Sequence, residues 1–367
     1  MFIPQSSSCI FLPSIENHHN CFLPVMQRLN EGGISAYILI VNELITHNRT
    51  FEEKTSQYSK KCTITFLLSS MNQWPPNIKI IVGNDSDPAT CVILRKAQKL
   101  GFKIILMQDG WLDHRNIKQP LYKKKSLFNP LKLRLHKFLT NPKMPTRKYI
   151  HNLIGQNSDY FLVYSSKAKK EFEKARINHN TIFVTGSPRY QILKRNFVPP
   201  QKYEKCNVLF STVLANKNDL ADFELSLSWI TRTFPDDLLI IKIHPMENPT
   251  IYTPFLSDKI RIENIKISEF LQKYKISYSF CFASTVIYDM LMIGVPIVQL
   301  APPAMLKRSC NFNLDLKIAR NIQEFSESVS SYCLNKEQEV GSQYLEDLKK
   351  DHNSIDKIYQ TIKKLPE

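Results

Sequence analysis

Asn207-Val-Leu-Phe-Ser-Thr-Val213, Leu239-Ile-Ile-Lys-Ile-His-Pro245, Phe280-Cys-Phe-Ala-Ser-Thr-Val-Ile-Tyr-Asp289 and Pro296-Ile-Val-Gln-Leu300 are the segments whose reading decides the fold. Each holds a short apolar run. Small hydroxyl residues or a His-Pro pair stand at the ends of the first three, and amphipathic helical stretches lie between them. Strand and helix in regular alternation predict a parallel α/β sheet. In such sheets ligands bind just outside the carboxyl ends of the strands. Residues 207–300 therefore read as half of a nucleotide-binding enzyme.

The same alternation runs through the first half of the chain. Apolar runs over 8–13, 37–41, 62–68, 78–82, 103–107, 159–164 and 181–185 are expected strands. Ala89, Val92, Ile93, Ala97 and Leu100 share one face of an expected helix that Gly101 ends. Phe197-Val-Pro-Pro-Gln-Lys-Tyr-Glu-Lys205 is polar and proline-bearing, the choice for an interdomain linker. The resulting division is an N-terminal domain over 1–196, a C-terminal domain over 197–320 and a helical tail over 321–367. In the tail Leu348, Ile355, Ile358 and Ile362 contribute to an apolar stripe.

The chain has 367 residues, 43 % of them hydrophobic, with 21 Phe and 15 Tyr, so it can bury a sizeable core and wholesale disorder is excluded. Its 8 Cys form no CxxC pair, and the expectation is reduced, buried thiols in a cytoplasmic protein. No run is long and apolar enough for a transmembrane helix, and the first residues lack the charged and apolar regions of a signal peptide.

The net charge is +16. Much of it is concentrated between Asp113 and Asp159, where Arg115, Lys118, Lys123, Lys124, Lys125, Lys132, Arg134, Lys137, Lys143, Arg147 and Lys148 meet no acidic residue. Leu127, Leu131, Leu135 and Phe138 interleave with them at helical spacing, and Pro120, Pro130, Pro142 and Pro145 cut the segment into short pieces. A basic insertion over 114–151 of this kind fits an anionic membrane surface, or else a solvated loop packed on its own domain. Nucleic acid is not the expected partner, since no recognition motif accompanies the charge.

Four strand ends carry candidate chemistry. Gln108-Asp109-Gly110 exposes a carboxylate that could serve as a general base or merely cap a turn. Lys242 and His244 lie on one side of their strand and Pro245 stiffens the exit, which suits a phosphate but also a hydrogen-bonded turn histidine. Ser284 and Thr285 open a helix, as an anion site or as plain caps. Gly186-Ser187-Pro188-Arg189 offers a glycine turn, a hydroxyl and a guanidinium suited to phosphate.

The order of these motifs resembles the GT-B superfamily of glycosyltransferases. It is similar in particular to bacterial capsule and lipooligosaccharide sialyltransferases and to CDP-glycerol glycerophosphotransferases, although Gln108 stands where those sialyltransferases carry an acidic residue. The resemblance implies an α/β fold of two Rossmann-like domains facing each other across a cleft. It implies Asp109 as the base on the acceptor and His244 as the contact to the donor phosphate. Gly186, Ser187, Arg189, Thr212, Lys242, Pro245, Ser284 and Thr285 fall on the donor side, and Gly110, His18 and His114 on the acceptor side.

The implied activity is metal-independent transfer of a sugar, with an acidic sugar from a CMP donor favoured, to a cell-surface glycan or glycolipid. The nucleotide-sugar is a substrate, and no cofactor is expected. The expected location is cytoplasmic, with peripheral attachment to the inner face of the membrane through 114–151 as an option. The alternatives are a CDP-glycerol-type polyol-phosphate transferase, an enzyme like UDP-N-acetylglucosamine 2-epimerase, and a non-catalytic GT-B-like anion-binding protein. The epimerase reading lacks a His-x-Glu-Ala-Gly or Ser-Gly-Gly counterpart here.

Overall fold

A computed structural model describes residues 2–44, 59–85, 87–108, 157–174, 181–196, 204–211, 214, 217–244, 247–282, 284, 286–303, 305, 318–334 and 353–366. The chain forms two compact units, residues 1–191 with 350–367, and residues 192–349.

The first unit is built on a parallel sheet of β1 (Cys9–Leu12), β2 (Ala36–Val41), β3 (Ser59–Cys62), β4 (Lys79–Val82), β5 (Lys103–Met107), β6 (Tyr160–Val163) and β7 (Ile182–Val184), in the order β3-β2-β1-β4-β5-β6-β7. Apart from the edge strand β3, the strands are near-continuous apolar runs because helices cover both faces of such a sheet. The side chains of β1 and β4 are all buried. Around the sheet lie α1 (Glu16–Glu31), α2 (Ile64–Ser70), α3 (Pro88–Lys99), α4 (Ser166–Lys174) and α5 (Pro188–Asn196).

The expected strand over 62–68 is not one. β3 ends at Cys62, and Ile64–Ser70 is helical. Thr63 explains the switch: its side chain accepts the Phe66 N–H and caps the helix. Ile64 and Leu67 then face the core three residues apart, while Phe66 is left exposed. The Gly101 turn follows α3 as the spacing indicates, at φ +75°, where an L side chain would be strained.

The second unit repeats the plan. β8 (Glu204–Phe210), β9 (Leu239–Lys242), β10 (Ile260–Glu263), β11 (Tyr274–Cys281), β12 (Ile297–Leu300) and β13 (Ile318–Ala319) form a parallel sheet in the order β10-β9-β8-β11-β12-β13. The accompanying helices are α6 (Lys217–Thr233), α7 (Ile267–Lys273), α8 (Val286–Met292) and α9 (Ile322–Leu334). In each sheet the first strand lies between its second and its fourth. The winding direction reverses there, which makes β1/β4 and β8/β11 the topological switch points.

The stretch 321–367 is shared between the units. Phe325, Val329 and Tyr332 of α9 join the core of the second unit with Leu209, Ile241 and Phe280. The last helix, α10 (Ser354–Lys364), belongs to the first, where Ile358, Tyr359 and Ile362 pack with Phe11, Phe22 and Val25. Arg28 donates to Asp356 at 2.6 Å and lies 4.4 Å from the Tyr359 ring centroid. Gln191 accepts from the Ser354 hydroxyl at 2.7 Å and from the Ile355 N–H at 2.9 Å. Cys9, Cys91, Cys206 and Cys281 are buried thiols, and burial pushes Cys9, Cys91 and Cys206 up to about 12.

Candidate functional site

Parallel strands deliver their carboxyl ends to one edge, so in the second unit β8, β9 and β11 release Ser211, His244 and Ser284 on the same side of the sheet. Ile241 and Ile243 point into the core. Lys242 lies between them, registered against Phe210 of β8 and Glu263 of β10, and is itself buried. Among the described residues its ammonium makes one long contact, 3.4 Å to the Ile243 carbonyl. Burial pulls its pKa down, and the Glu263 carboxylate opposes that in part.

His244 is partly exposed. Burial lowers its pKa, Glu247 works in the opposite direction, and Lys242 adds to the lowering. Lys242 and His244 are thus two basic groups whose pKa values burial lowers. Ser284 is engaged locally: its hydroxyl accepts the Val286 N–H at 3.3 Å at the start of α8, as a cap does. Thr212, Pro245 and Thr285 lie outside the described residues.

One feature of this edge escaped the sequence reading. Glu247 is buried, with Oε1 accepting the Leu214 N–H at 2.7 Å and Oε2 accepting the Tyr252 hydroxyl. The Tyr252 hydroxyl is also bonded to Ser211 Oγ. Burial, with Glu247 beside it, raises the Tyr252 pKa, so the phenol stays protonated. The only local signal is an acidic residue two places after the His-Pro pair.

In the first unit His18 occupies the switch point. It lies in the first turn of α1, after β1, and its ring covers Gly83 at the end of β4. A Cβ on Gly83 would sit 2.4 Å from the imidazole, so the close approach requires glycine. The Ser14 N–H donates to His18 Nδ1 at 3.2 Å, and the Ser14 hydroxyl lies 3.0 Å from the same atom. An accepting Nδ1 places the proton of the neutral ring on Nε2.

Gln108, at the end of β5, is buried, and its Oε1 accepts the Tyr164 N–H at 3.0 Å. The amide at this position braces the end of β6. Asp109, Gly110, His114 and the basic segment 114–151 lie outside the described residues.

Gly186-Ser187-Pro188-Arg189 leaves β7, the edge strand, with Gly186 at φ +78°. Ser187 Oγ is buried and has no hydrogen-bond partner among the described residues. Arg189 is partly exposed, 5.9 Å from the Tyr190 ring centroid. The structure therefore brings Lys242, His244 and Ser284 to one edge of the second unit, while Gly186, Ser187, Arg189 and His18 belong to the first.

Among the described residues no group of three or more His, Cys, Asp or Glu side chains is placed to hold a metal ion, and no helix is long and apolar enough to cross a membrane. Two cavities, of about 250 and 180 Å³, line other surfaces and contain none of the candidate residues.

Two doubly wound parallel sheets, each in its own unit, define an α/β protein of the two-domain GT-B-like class. The chain is similar to UDP-GlcNAc 2-epimerase from Methanocaldococcus jannaschii, solved in complex with UDP-GlcNAc and UDP. The identity is 14 %, over 97 % of this chain and 99 % of that one, with a TM-score of 0.62. The enzyme from Neisseria meningitidis bound to UDP-GlcNAc gives 14 %, 98 %, 100 % and 0.60 in the same order. The wall teichoic acid polymerase TagF, soaked with CDPG, gives 12 %, 98 %, 89 % and 0.57. At these identities the likeness carries the fold. No family model and no curated protein matches the chain.

Proposed function

We propose that the protein is a nucleotide-sugar-dependent transferase that passes a sugar to a glycan or glycolipid acceptor without a metal ion. The observation that carries this reading is the pair Lys242 and His244 at the exit of β9, beside the β8/β11 switch point, with the pKa of each lowered by burial. In this reading the leaving nucleotide phosphate docks at that edge. Its negative charge favours the protonated form of both groups, which are assigned to binding it. Preformed cations at a partly dry edge stabilise the departing phosphate without reorganising, which is the chemistry a metal ion supplies elsewhere.

Asp109 is assigned to deprotonating the acceptor hydroxyl, which then attacks the anomeric carbon, and the bond from that carbon to the phosphate oxygen breaks. The motif order favours an acidic sugar carried on CMP, while the neighbouring folds were solved with UDP-GlcNAc, UDP and CDPG. The basic segment 114–151 is assigned to an anionic acceptor or membrane surface.

Scanning fluorimetry with CMP, CDP, UDP and GDP tests the reading. A rise in melting temperature with one nucleotide, lost in His244→Ala, is the expected result; no rise with any of the four refutes it. The 2-epimerase reading is favoured by two of the three fold neighbours named above. It predicts that UDP-GlcNAc alone, with no acceptor, is converted to its C2 epimer, which proton NMR of the sugar resolves.

A further inference from the structure

The backbone N–H of Glu247 donates to the His244 carbonyl at 2.9 Å and closes the turn that carries the imidazole. The Glu247 side chain then reaches in two other directions. One oxygen holds Leu214, in the segment after β8, and the other holds Tyr252, in the 3₁₀ stretch Pro249–Phe255. Tyr252 in turn holds Ser211, the first residue after β8. A single buried carboxylate thereby fastens the exits of the two strands that flank the proposed phosphate position. With each oxygen occupied by a donor, it is poorly placed to act as a base or as a ligand itself.

We propose that Glu247 is a positioning residue of this edge: it locks the exits of β8 and β9 into one body and fixes a negative charge beside the His244 imidazole. The proposal rests on the reading of this edge as the site of the donor phosphate. In that reading His244 must be able to hold a proton while the phosphate departs. Burial and Lys242 both oppose the proton, and Glu247 favours it. Lys242 is answered from the other side by Glu263 of β10, which is itself held by Lys273 and Tyr274. Glu247 is thus the described group that offsets burial and the lysine at His244.

NMR titration of the imidazoles in the full chain, with His244 assigned through His244→Asn, reads this charge without turnover. Glu247→Gln is expected to move the His244 titration to lower pH. Tyr252→Phe keeps the carboxylate and is expected to leave it in place. In the transfer assay Glu247→Gln is expected to lose roughly tenfold in kcat, the low end of what outer partners of functional groups contribute. The alkaline limb of its pH profile should move down with the titration, and KM should change less.

An unmoved His244 titration in Glu247→Gln overturns the proposal whatever the activity does. If the titration moves but the native protein binds no nucleotide, the positioning role stands and the donor reading falls. Should Glu247→Gln fail to fold, Tyr252→Phe carries the test through hydrogen exchange at Leu214. Faster exchange with an intact global fold is expected, and unchanged exchange overturns the proposal.

Discussion

Placing a methyl group on Gly83 tests whether His18 is fixed at the first switch point. The added Cβ would meet His18 Cδ2 and Nε2 at 2.4 Å and Cγ at 2.6 Å, about 1 Å inside ordinary contact. The ring has little room to yield. It is 3 % exposed, anchored at Nδ1 by Ser14, and stacked on Phe22 at a centroid distance of 5.9 Å. Overpacking of this kind costs about 1–3 kcal/mol. Breaking the Ser14–His18 bonds adds about 1 kcal/mol. Gly83→Ala should therefore destabilise the first unit by about 2–4 kcal/mol, a fall of roughly 5–15 °C in its melting temperature.

In a His18→Ala background the clash disappears, and the same substitution should cost less than about 1 kcal/mol, leaving a coupling of about 1–3 kcal/mol in the cycle. Denaturant unfolding of the four proteins measures it. Equal costs in the two backgrounds would refute the reasoning. The double variant then tests the proposed acceptor-side role of His18: the expected result is a higher acceptor KM with nucleotide affinity kept, and an unchanged KM removes that role.

Ile362→Ala removes a fully buried side chain from the α10 face and should cost about 2–5 kcal/mol, with faster proteolysis around residue 353; unchanged protection there would mean that α10 is not part of the first core. The His244 and Lys242 pKa values both lie below their ordinary ones, so the unfolded chain binds the proton more tightly. For each group, stability should rise as pH climbs from its folded value to its unfolded one, a window ending near 6.5 for His244 and near 10.5 for Lys242. His244→Gln should flatten the acidic slope of denaturant midpoints, and an unchanged slope would remove His244 as its source. Asp85 is fully buried and accepts the Asn157 N–H at 3.1 Å and the Ser158 hydroxyl at 2.8 Å. Asp85→Ala strands both donors and should cost roughly 2–4 kcal/mol, with faster amide exchange at Asn157.

What could be read in advance depended on whether the deciding neighbour is near in sequence. β1, β4 and β5 announce themselves because burial on both faces demands unbroken apolar runs. β3 does not, because an edge strand carries Lys60 and Lys61, and the apolar run after it was claimed by the Thr63 cap.

The two serines at the second edge make the same point for function. Ser211 and Ser284 both follow an apolar strand, and both precede or sit beside a threonine. In the folded chain Ser284 spends its hydroxyl on its own helix two residues on, a bond that sequence spacing can anticipate. Ser211 spends its hydroxyl on Tyr252, 41 residues away, as part of a network centred on Glu247 that no local pattern encodes. The Ser211 hydroxyl is therefore committed before any ligand arrives, while Ser284 uses only its oxygen as an acceptor and keeps its O–H as a donor. An anion at this edge is left to groups with unspent donors, and Lys242 fits that description. It has three N–H donors and only one contact, at 3.4 Å, among the described residues. The proposed phosphate site is assigned to the charged donor at the end of β9 over the neutral hydroxyl at the start of α8. Lys242→Met should therefore weaken nucleotide binding more than Ser284→Ala, and the reverse order in fluorimetric titrations would place the anion at α8 instead.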